Sequence, residues 1–284
     1  MAERMDGKLV SASVKQRVAD ETAKLKEKGI TPGLAVIIVG DDPASRVYVN
    51  NKKKACAAVG FYSEEYTLPE NTTMEQLLSV IEVLNSREDI DGILCQLPLP
   101  EHLDEQAVID AIAVDKDVDA FSPANVGKIM IGNYDFLPCT PAGVMEMLKY
   151  YSIPVAGKHC VVIGRSNIVG KPAAMLMLHE NATVTICHSK TQNLKDICKT
   201  ADILVAAVGK AGFVTADMVK DGAVVIDVGI NRIDGKLYGD VAFDEVEKKA
   251  SFITPVPGGV GPMTIGMLMQ NTLKAAKLHH NIEE

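Results

Sequence analysis

Apolar and polar positions follow one another in blocks along this chain. Residues 33–40, GLAVIIVG, form a continuous apolar run of strand length, rich in β-branched side chains. Residues 61–68 and 91–97 read as two more strands, the last closed by Pro98 and Pro100. Helical spacing separates them. Leu9, Val10, Val14, Val18 and Leu25 predict a helix over 7–28, ended by Gly29. Residues 41–45 read as a turn and cap, followed by a helix over 45–59. Thr72 with Glu75 three residues on has capping-box spacing and opens a helix over 72–85, and a further helix covers 106–113. The succession implies a parallel sheet covered by helices.

Residues 113–141 break this rhythm. They carry Asp115, Asp117 and Asp119 among Gly, Pro and Asn, and are expected to form an irregular interdomain segment and cleft wall. A helix over 141–151 follows, with proline in its first turn. The pattern then restarts, with strands expected at 159–164, 182–188, 202–208 and 222–228 and a helix at 172–180. Residues 255–262, PVPGGVGP, must form a loop, and 263–278 a final helix. The expected fold is α/β with two domains, each a mostly parallel sheet flanked by helices, with a cleft between them. The first domain spans 1–139, joined by a C-terminal helix over 263–284. The second spans 140–262 and is of Rossmann type.

Composition narrows the classes. The chain has 284 residues, 47% hydrophobic and 23% charged, which excludes a disordered or collagen-like polypeptide. No apolar run approaches the ~20 residues of a membrane span, and the first residues lack a signal core, so a cytoplasmic protein without a membrane partner is expected. The net charge is −8 and the only basic block is Lys52-Lys53-Lys54, which argues against nucleic acid. An anionic ligand must be held by local donors against an unfavourable overall field. Six cysteines, none closer than eleven residues to the next, give no Cys-x-x-Cys pair and read as buried thiols. The histidines are scattered, and no metal site is expected.

The most readable chemical signal is HCVVIGRSNIVGKP, 159–172, in which Gly164 and Gly170 bracket a turn from strand to helix. Such a turn aims backbone N–H groups at a phosphate, although a plain βαβ turn would need the same glycines. The next strand ends in Cys187-His188-Ser189-Lys190-Thr191. An acid there would hold a ribose 2′-hydroxyl and repel a 2′-phosphate; instead Arg165, Ser189 and Lys190 offer donors, favouring NADP over NAD. Lys190 reads equally well as a solvated surface lysine. Gly209 and Gly229 end the next two strands, either flanking the nicotinamide and its ribose or serving only tight turns. By residue type alone, Lys52 belongs to a solvated face, Gln96 to a strand end and Asp119 to an exposed loop.

Seven segments in order alter that reading: YVNNK (48–52), DGILCQLPLP (91–100), KDVDAFSPANVGK (116–128), GRSNIVGKP (164–172), ATVTICHSKT (182–191), VIDVGIN (225–231) and ITPVPGGVGPMTIGMLM (253–269). Together they resemble the bifunctional methylenetetrahydrofolate dehydrogenase/methenyltetrahydrofolate cyclohydrolase family from about Asp6 to Leu273. The resemblance implies two reactions in one cleft. One is NADP-dependent oxidation of 5,10-methylenetetrahydrofolate to the methenyl cation. The other is hydrolysis of that cation to 10-formyltetrahydrofolate, a one-carbon donor for purine biosynthesis. It implies Lys52 as the catalytic lysine, Gln96 as its hydrogen-bond partner and Tyr48 against the pterin. It places Cys95, Leu97, Asp119, Pro257, Gly258 and Gly259 at the substrate, and Gly164, Arg165, Ser166, Ser189, Gly209 and Ile230 at NADP. A homodimer built on the nucleotide domains is implied as well. One departure stands out: glycine is expected after Asp119, and this chain has Ala120. If that position needs a positive φ, alanine would shift the Asp119 loop and weaken the folate grip more than the nucleotide site.

Overall fold

A computed structural model describes residues 1–282, the side chains of 43 and 44 excepted. In chain order the elements are β1 (Glu3–Arg4), α1 (Gly7–Glu27), β2 (Gly33–Val39), α2 (Pro43–Val59), β3 (Tyr62–Leu68), α3 (Met74–Ser86), β4 (Gly92–Cys95), α4 (Glu105–Ala111), α5 (Pro123–Ile131) and α6 (Cys139–Tyr150). There follow β5 (His159–Ile163), α7 (Gly170–His179), β6 (Thr183–Cys187), α8 (Leu194–Cys198), β7 (Ile203–Ala206), β8 (Val224–Asp227), β9 (Asn231–Ile233), β10 (Lys236–Tyr238), α9 (Phe243–Val246), β11 (Phe252–Ile253) and α10 (Val260–His279). The chain divides into two compact units, one of Met1–Ala12 with Pro138–Thr264, the other of Ser13–Leu137 with the chain from Ile265 on. The expected C-terminal helix reaches its last two positions, 283–284, outside the described residues.

The second of these units holds a parallel sheet in the order β3-β2-β4. Every residue of β2 is buried, which is why its sequence is apolar throughout instead of alternating. Ala35, Ile37 and Val39 on one face share a core with Leu77, Ile81 and Leu84, the i, i+4, i+7 stripe of α3. The capping box of α3 lies one residue later than the spacing suggested. Thr73 accepts from Gln76 N and the Gln76 side chain accepts from Thr73 N, while the Thr72 hydroxyl donates to Pro69 O. Both threonines have a suitable partner three residues on, so spacing alone cannot choose the frame.

The stretch expected to be irregular contains α5. Ser122 caps it by accepting from Asn125 N, Pro123 supplies the preset φ of the first turn, and Gly132 ends it at φ +77°.

The other unit holds a six-stranded sheet, β1-β11-β8-β7-β5-β6, in which every pairing is parallel. Val161, Ile163, Leu204, Ala206, Val225 and Ile253 contribute to one buried cluster on it. The sequence reading assigned the first twelve residues to the other domain. Strand β1 carries them here, because Glu3 and Arg4 pair with Phe252 and Ile253 and Arg4 forms an ion pair with Glu247 at 2.5 Å. A hairpin of β9 and β10 was also unread, although Asp234 and Gly235 at φ +48° and +77° make the two-residue turn that hairpins favour. The 255–262 loop ends early: α10 begins at Val260, so Pro262 lies in its first turn. No described helix is long and apolar enough to cross a membrane. All six cysteines are buried.

Candidate active site

In the three-stranded unit, Lys52 and Gln96 meet. Lys52 lies on α2, and Gln96 follows β4, its backbone N–H still donating to Ile37 O at 2.8 Å. The Lys52 Nζ donates to Gln96 Oε1 at 2.8 Å, and Gln96 Nε2 donates to Leu97 O at 2.6 Å. The carbonyl of residue 97 therefore fixes the amide's orientation, leaving its oxygen to face the lysine nitrogen. Tyr48 stands one turn before Lys52 on the same helix face and is exposed. An ion pair of Arg46 with Glu65 at 2.6 Å ties the helix to β3.

Cys95, Leu97 and Asp119 line one small cleft with Ile93, Asp117 and Phe121. Burial, reinforced by the charges of Glu105 and Asp119 and opposed by that of Lys52, pushes the Cys95 thiol up to about 12. Cys95 is thus a neutral wall at working pH and no nucleophile. The Asp119 loop is built by a different acid. Buried Asp117 accepts from Phe121 N at 3.3 Å, Ser122 N at 2.8 Å and Asn125 Nδ2 at 2.9 Å. Ala120 N donates to Asp117 O at 3.0 Å, and Asn271 Nδ2 reaches Val118 O at 2.8 Å. Ala120 sits at φ +56° and is fully buried. The position does require the left-handed conformation, and alanine adopts it within a closed turn.

In the six-stranded unit, parallel pairing sends every strand's carboxyl end to one edge. The loops after β6, β5, β7, β8 and β11 leave that edge in spatial order, carrying Ser189, then Gly164 to Ser166, then Gly209, then Ile230, then Pro257 to Gly259. The order β7-β5-β6 reverses direction at β5, the crevice where open α/β sheets take ligands. Glycine is obligatory at two positions of the β5 loop. A Cβ on Gly164 would lie 2.2 Å from Ala207 O, and one on Gly170 2.3 Å from Gly164 O. The Ser166 hydroxyl accepts from Val169 N and Gly170 N, both at 3.2 Å, capping the entry to α7. Arg165, Ser189 and Lys190 are exposed, and no acid stands at the end of β6. Gly209 is exposed at φ +66°, where a Cβ would meet nothing within 4 Å; backbone conformation, not crowding, calls for glycine there. Ile230 is exposed beside Gly261. The 255–259 loop is anchored where Gly7 N donates to Gly258 O at 2.9 Å.

Two family models cover most of the chain: the tetrahydrofolate dehydrogenase/cyclohydrolase catalytic domain over residues 5–119, and the NAD(P)-binding domain of the same enzymes over 138–280. The chain belongs to the tetrahydrofolate dehydrogenase/cyclohydrolase family. This tetrahydrofolate dehydrogenase/cyclohydrolase is 62% identical over 278 residues to the bifunctional protein FolD of Acetivibrio thermocellus, covering 98% of both chains. Its structure is similar to that of the bifunctional FolD methylenetetrahydrofolate dehydrogenase/cyclohydrolase of Campylobacter jejuni, with a TM-score of 0.96, 50% identity and coverage of 98% and 99%. The Trypanosoma brucei methylenetetrahydrofolate dehydrogenase-cyclohydrolase, complexed with NADP cofactor and inhibitor, matches with a TM-score of 0.93, 42% identity and 98% coverage of each chain.

Sequence reading of this family member overlooked the acids that shape its loops. Asp117 appeared only as part of an acidic run. Asp227 and Asp240, buried under the carboxyl edge, left no periodic signal; the glycines at 229 and 239 beside them are the trace they leave in sequence.

Proposed function

We propose that this chain oxidises 5,10-methylenetetrahydrofolate with NADP and hydrolyses the resulting 5,10-methenyl cation to 10-formyltetrahydrofolate, with Lys52, Gln96 and Tyr48 as its catalytic group. The observation that carries this reading is the hydrogen bond from Lys52 to an amide whose orientation Leu97 fixes. Hydrolysis requires proton movement at a cationic carbon. The neutral amine of Lys52 accepts a proton from the attacking water as the C–O bond forms. The ammonium so produced returns a proton to N5 as the C–N5 bond breaks. The hydroxyl proton goes to solvent, so the step releases one proton overall. A neutral amide orients the lysine without the negative charge that would hold it protonated. Tyr48 offers a ring for the pterin to pack on, and the two oxygens of Asp119 suit the paired N–H donors of its aminopyrimidinone. Cys95 and Leu97 complete the folate surface of this unit, and the family resemblance supports folate-contacting roles for Pro257, Gly258 and Gly259.

NADP supplies the hydride acceptor when bound, and the protein's task in that step is alignment. The carboxyl edge fits it. The β5 turn with Gly164 and Ser166 approaches the phosphates, and Arg165, Ser189 and Lys190 offer donors for the 2′-phosphate. Gly209 and Ile230 face the nicotinamide side. The resemblance also supports a cytoplasmic homodimer that feeds formyl groups to purine biosynthesis. The deciding experiment follows methenyl disappearance without NADP. Lys52→Ala is expected to lose hydrolysis at least a hundredfold while its circular dichroism and melting stay those of the parent. Retained hydrolysis by the folded variant removes Lys52 from the mechanism.

A further inference from the structure

Beneath the carboxyl edge of the six-stranded sheet lie two acids that the two reactions do not use directly. Asp240 is fully buried, yet its oxygens gather a whole turn. Its Oδ2 accepts from Val208 N at 2.6 Å and Gly209 N at 2.9 Å, and its Oδ1 from Lys210 N at 2.8 Å and Asn231 Nδ2 at 3.0 Å. Three successive amides of the β7 loop thus converge on one side chain from thirty residues downstream. Asp227 forms a second tier. It accepts from Gly229 N at 3.0 Å, Asp240 N at 2.8 Å and Val241 N at 3.0 Å. Its own N–H donates to Thr254 Oγ1 at 2.7 Å, at the root of the 255–259 loop.

The glycines show how tightly these tiers are stacked. A Cβ at Gly229 would lie 2.2 Å from Asp240 Cγ, and one at Gly239 would lie 1.8 Å from Asp227 Oδ2. The edge loops after β7 and β8 are therefore held by one pair of carboxyl groups, and the backbone N–H of Asp227 ties in the root of the loop after β11. A stretch of backbone with three amides tied inward has few alternative conformations, and a loop already ordered in its ligand-binding shape binds more tightly than one that must be ordered on binding.

We propose that Asp240 is a positioning residue for the nicotinamide end of NADP, acting through the 208–210 turn and the 229–230 turn. The inference rests on the reading that NADP lies along this edge. It separates the two activities, since hydrolysis of the methenyl cation needs no nucleotide.

The test is Asp240→Asn, assayed for both reactions and for NADPH affinity by ligand fluorescence. An amide presents one oxygen where the carboxylate presents two, so part of the β7 turn loses its acceptor. The expected result is a tenfold or greater rise in the KM for NADP and in the NADPH dissociation constant, a smaller change in dehydrogenase kcat, and NADP-free hydrolysis within twofold of the parent. Asn231→Ala, which deletes the side-chain donor to Asp240 together with a longer hydrogen bond to Tyr238 O, is expected to raise the NADP KM two- to fourfold and stands as the test if Asp240→Asn does not fold. Unchanged NADP affinity in the folded variants, or parallel loss of both activities, overturns the proposal. Arg165→Ala serves as the arm for the underlying reading. If it weakens NADP binding while Asp240→Asn does not, only the positioning role fails. If neither variant affects NADP, the placement of the nucleotide fails with it.

Discussion

Replacing Gln96 by glutamate tests the central claim about the lysine. The substitution keeps the side chain's length and places a negative charge where the structure has a neutral oxygen, 2.8 Å from Lys52 Nζ. At that separation the added attraction is about 1.5 kcal/mol with the screening of bulk water and about 6 kcal/mol at an effective dielectric of ~20. At 1.36 kcal/mol per unit, the lysine's pKa rises by about one to four units. The half-buried position of Lys52 lies between those limits. A proton acceptor held protonated is idle, so hydrolysis at pH 7.5 is expected to fall at least about tenfold, and its pH–rate profile to move to higher pH by the same one to four units. The assay is methenyl disappearance without NADP from pH 6 to 9.5, corrected for the uncatalysed reaction. Gln96→Met is the control: it removes both hydrogen bonds without adding charge, so it slows hydrolysis but leaves the profile in place. Hydride transfer needs no protein acid and should suffer less from Gln96→Glu than hydrolysis does. A profile for the glutamate variant that superimposes on the parent's, or an equal displacement in the methionine variant, refutes the electrostatic argument.

Two further outcomes follow from groups outside that pair. Ala120, at φ +56° and fully buried, is expected to tolerate glycine with little change. Relief of a left-handed alanine gains about 1–2 kcal/mol, while the lost buried methyl costs about 0.8 and the freer unfolded chain about 0.4–1. Ala120→Gly should thus shift the urea-derived stability by no more than about 1 kcal/mol and folate affinity by less than threefold, whereas the β-branched Ala120→Val should lose more than about 2 kcal/mol. A tenfold gain in folate affinity in the glycine variant would show the Asp119 loop to be displaced by the alanine. Asp227 supplies a pH dependence. Burial, opposed by its backbone hydrogen bonds and reinforced by Asp240, pushes its carboxyl up to about 6 from 3.8. The folded protein holds that proton more tightly than the unfolded one, so this group's contribution is largest at low pH and declines as pH rises through roughly 4 to 6. Relative to Asp227→Asn, the parent should lose about 2 kcal/mol between pH 4.5 and 7.5 in denaturant titrations, and a difference independent of pH contradicts the assignment.

The parts of the fold legible in sequence are those whose environment is uniform. Residues 33–39 announce a strand because both faces of β2 are buried and every position must be apolar. The carboxyl-edge loops could be located because glycines mark where strands stop, and Gly164 and Gly170 are forced by backbone oxygens barely 2 Å from any added carbon. Helix α5 was missed because its nine residues show little period, although Ser122, Pro123 and Gly132 bracket it with ordinary end signals. The pairing of Lys52 with Gln96 was legible only through family likeness. Lys52 and Gln96 are 44 residues apart, and no local rule joins a helix lysine to a strand-end amide. The acids that support the loops were least legible of all, since Asp117 and Asp240 act on backbone amides whose positions depend on the finished sheet.

Burial of those acids also bears on how a chain of net charge −8 presents a site to phosphates. An exposed carboxylate at the carboxyl edge would repel the cofactor over the ~8–10 Å that physiological salt leaves unscreened. The two aspartates that hold the loops after β7 and β8 are instead 2% and 0% exposed, with their oxygens turned toward backbone N–H groups of the chain itself. The amide dipoles gathered around them compensate their charge locally, and the groups left at the surface, Arg165, Ser189 and Lys190, are donors. The acids thereby order the loops without facing the ligand. In the three-stranded unit the neutral amide of Gln96 holds the Lys52 side chain in place in a comparable way, adding no charge beside it. In both cases the group that orders its neighbours brings no exposed charge of its own.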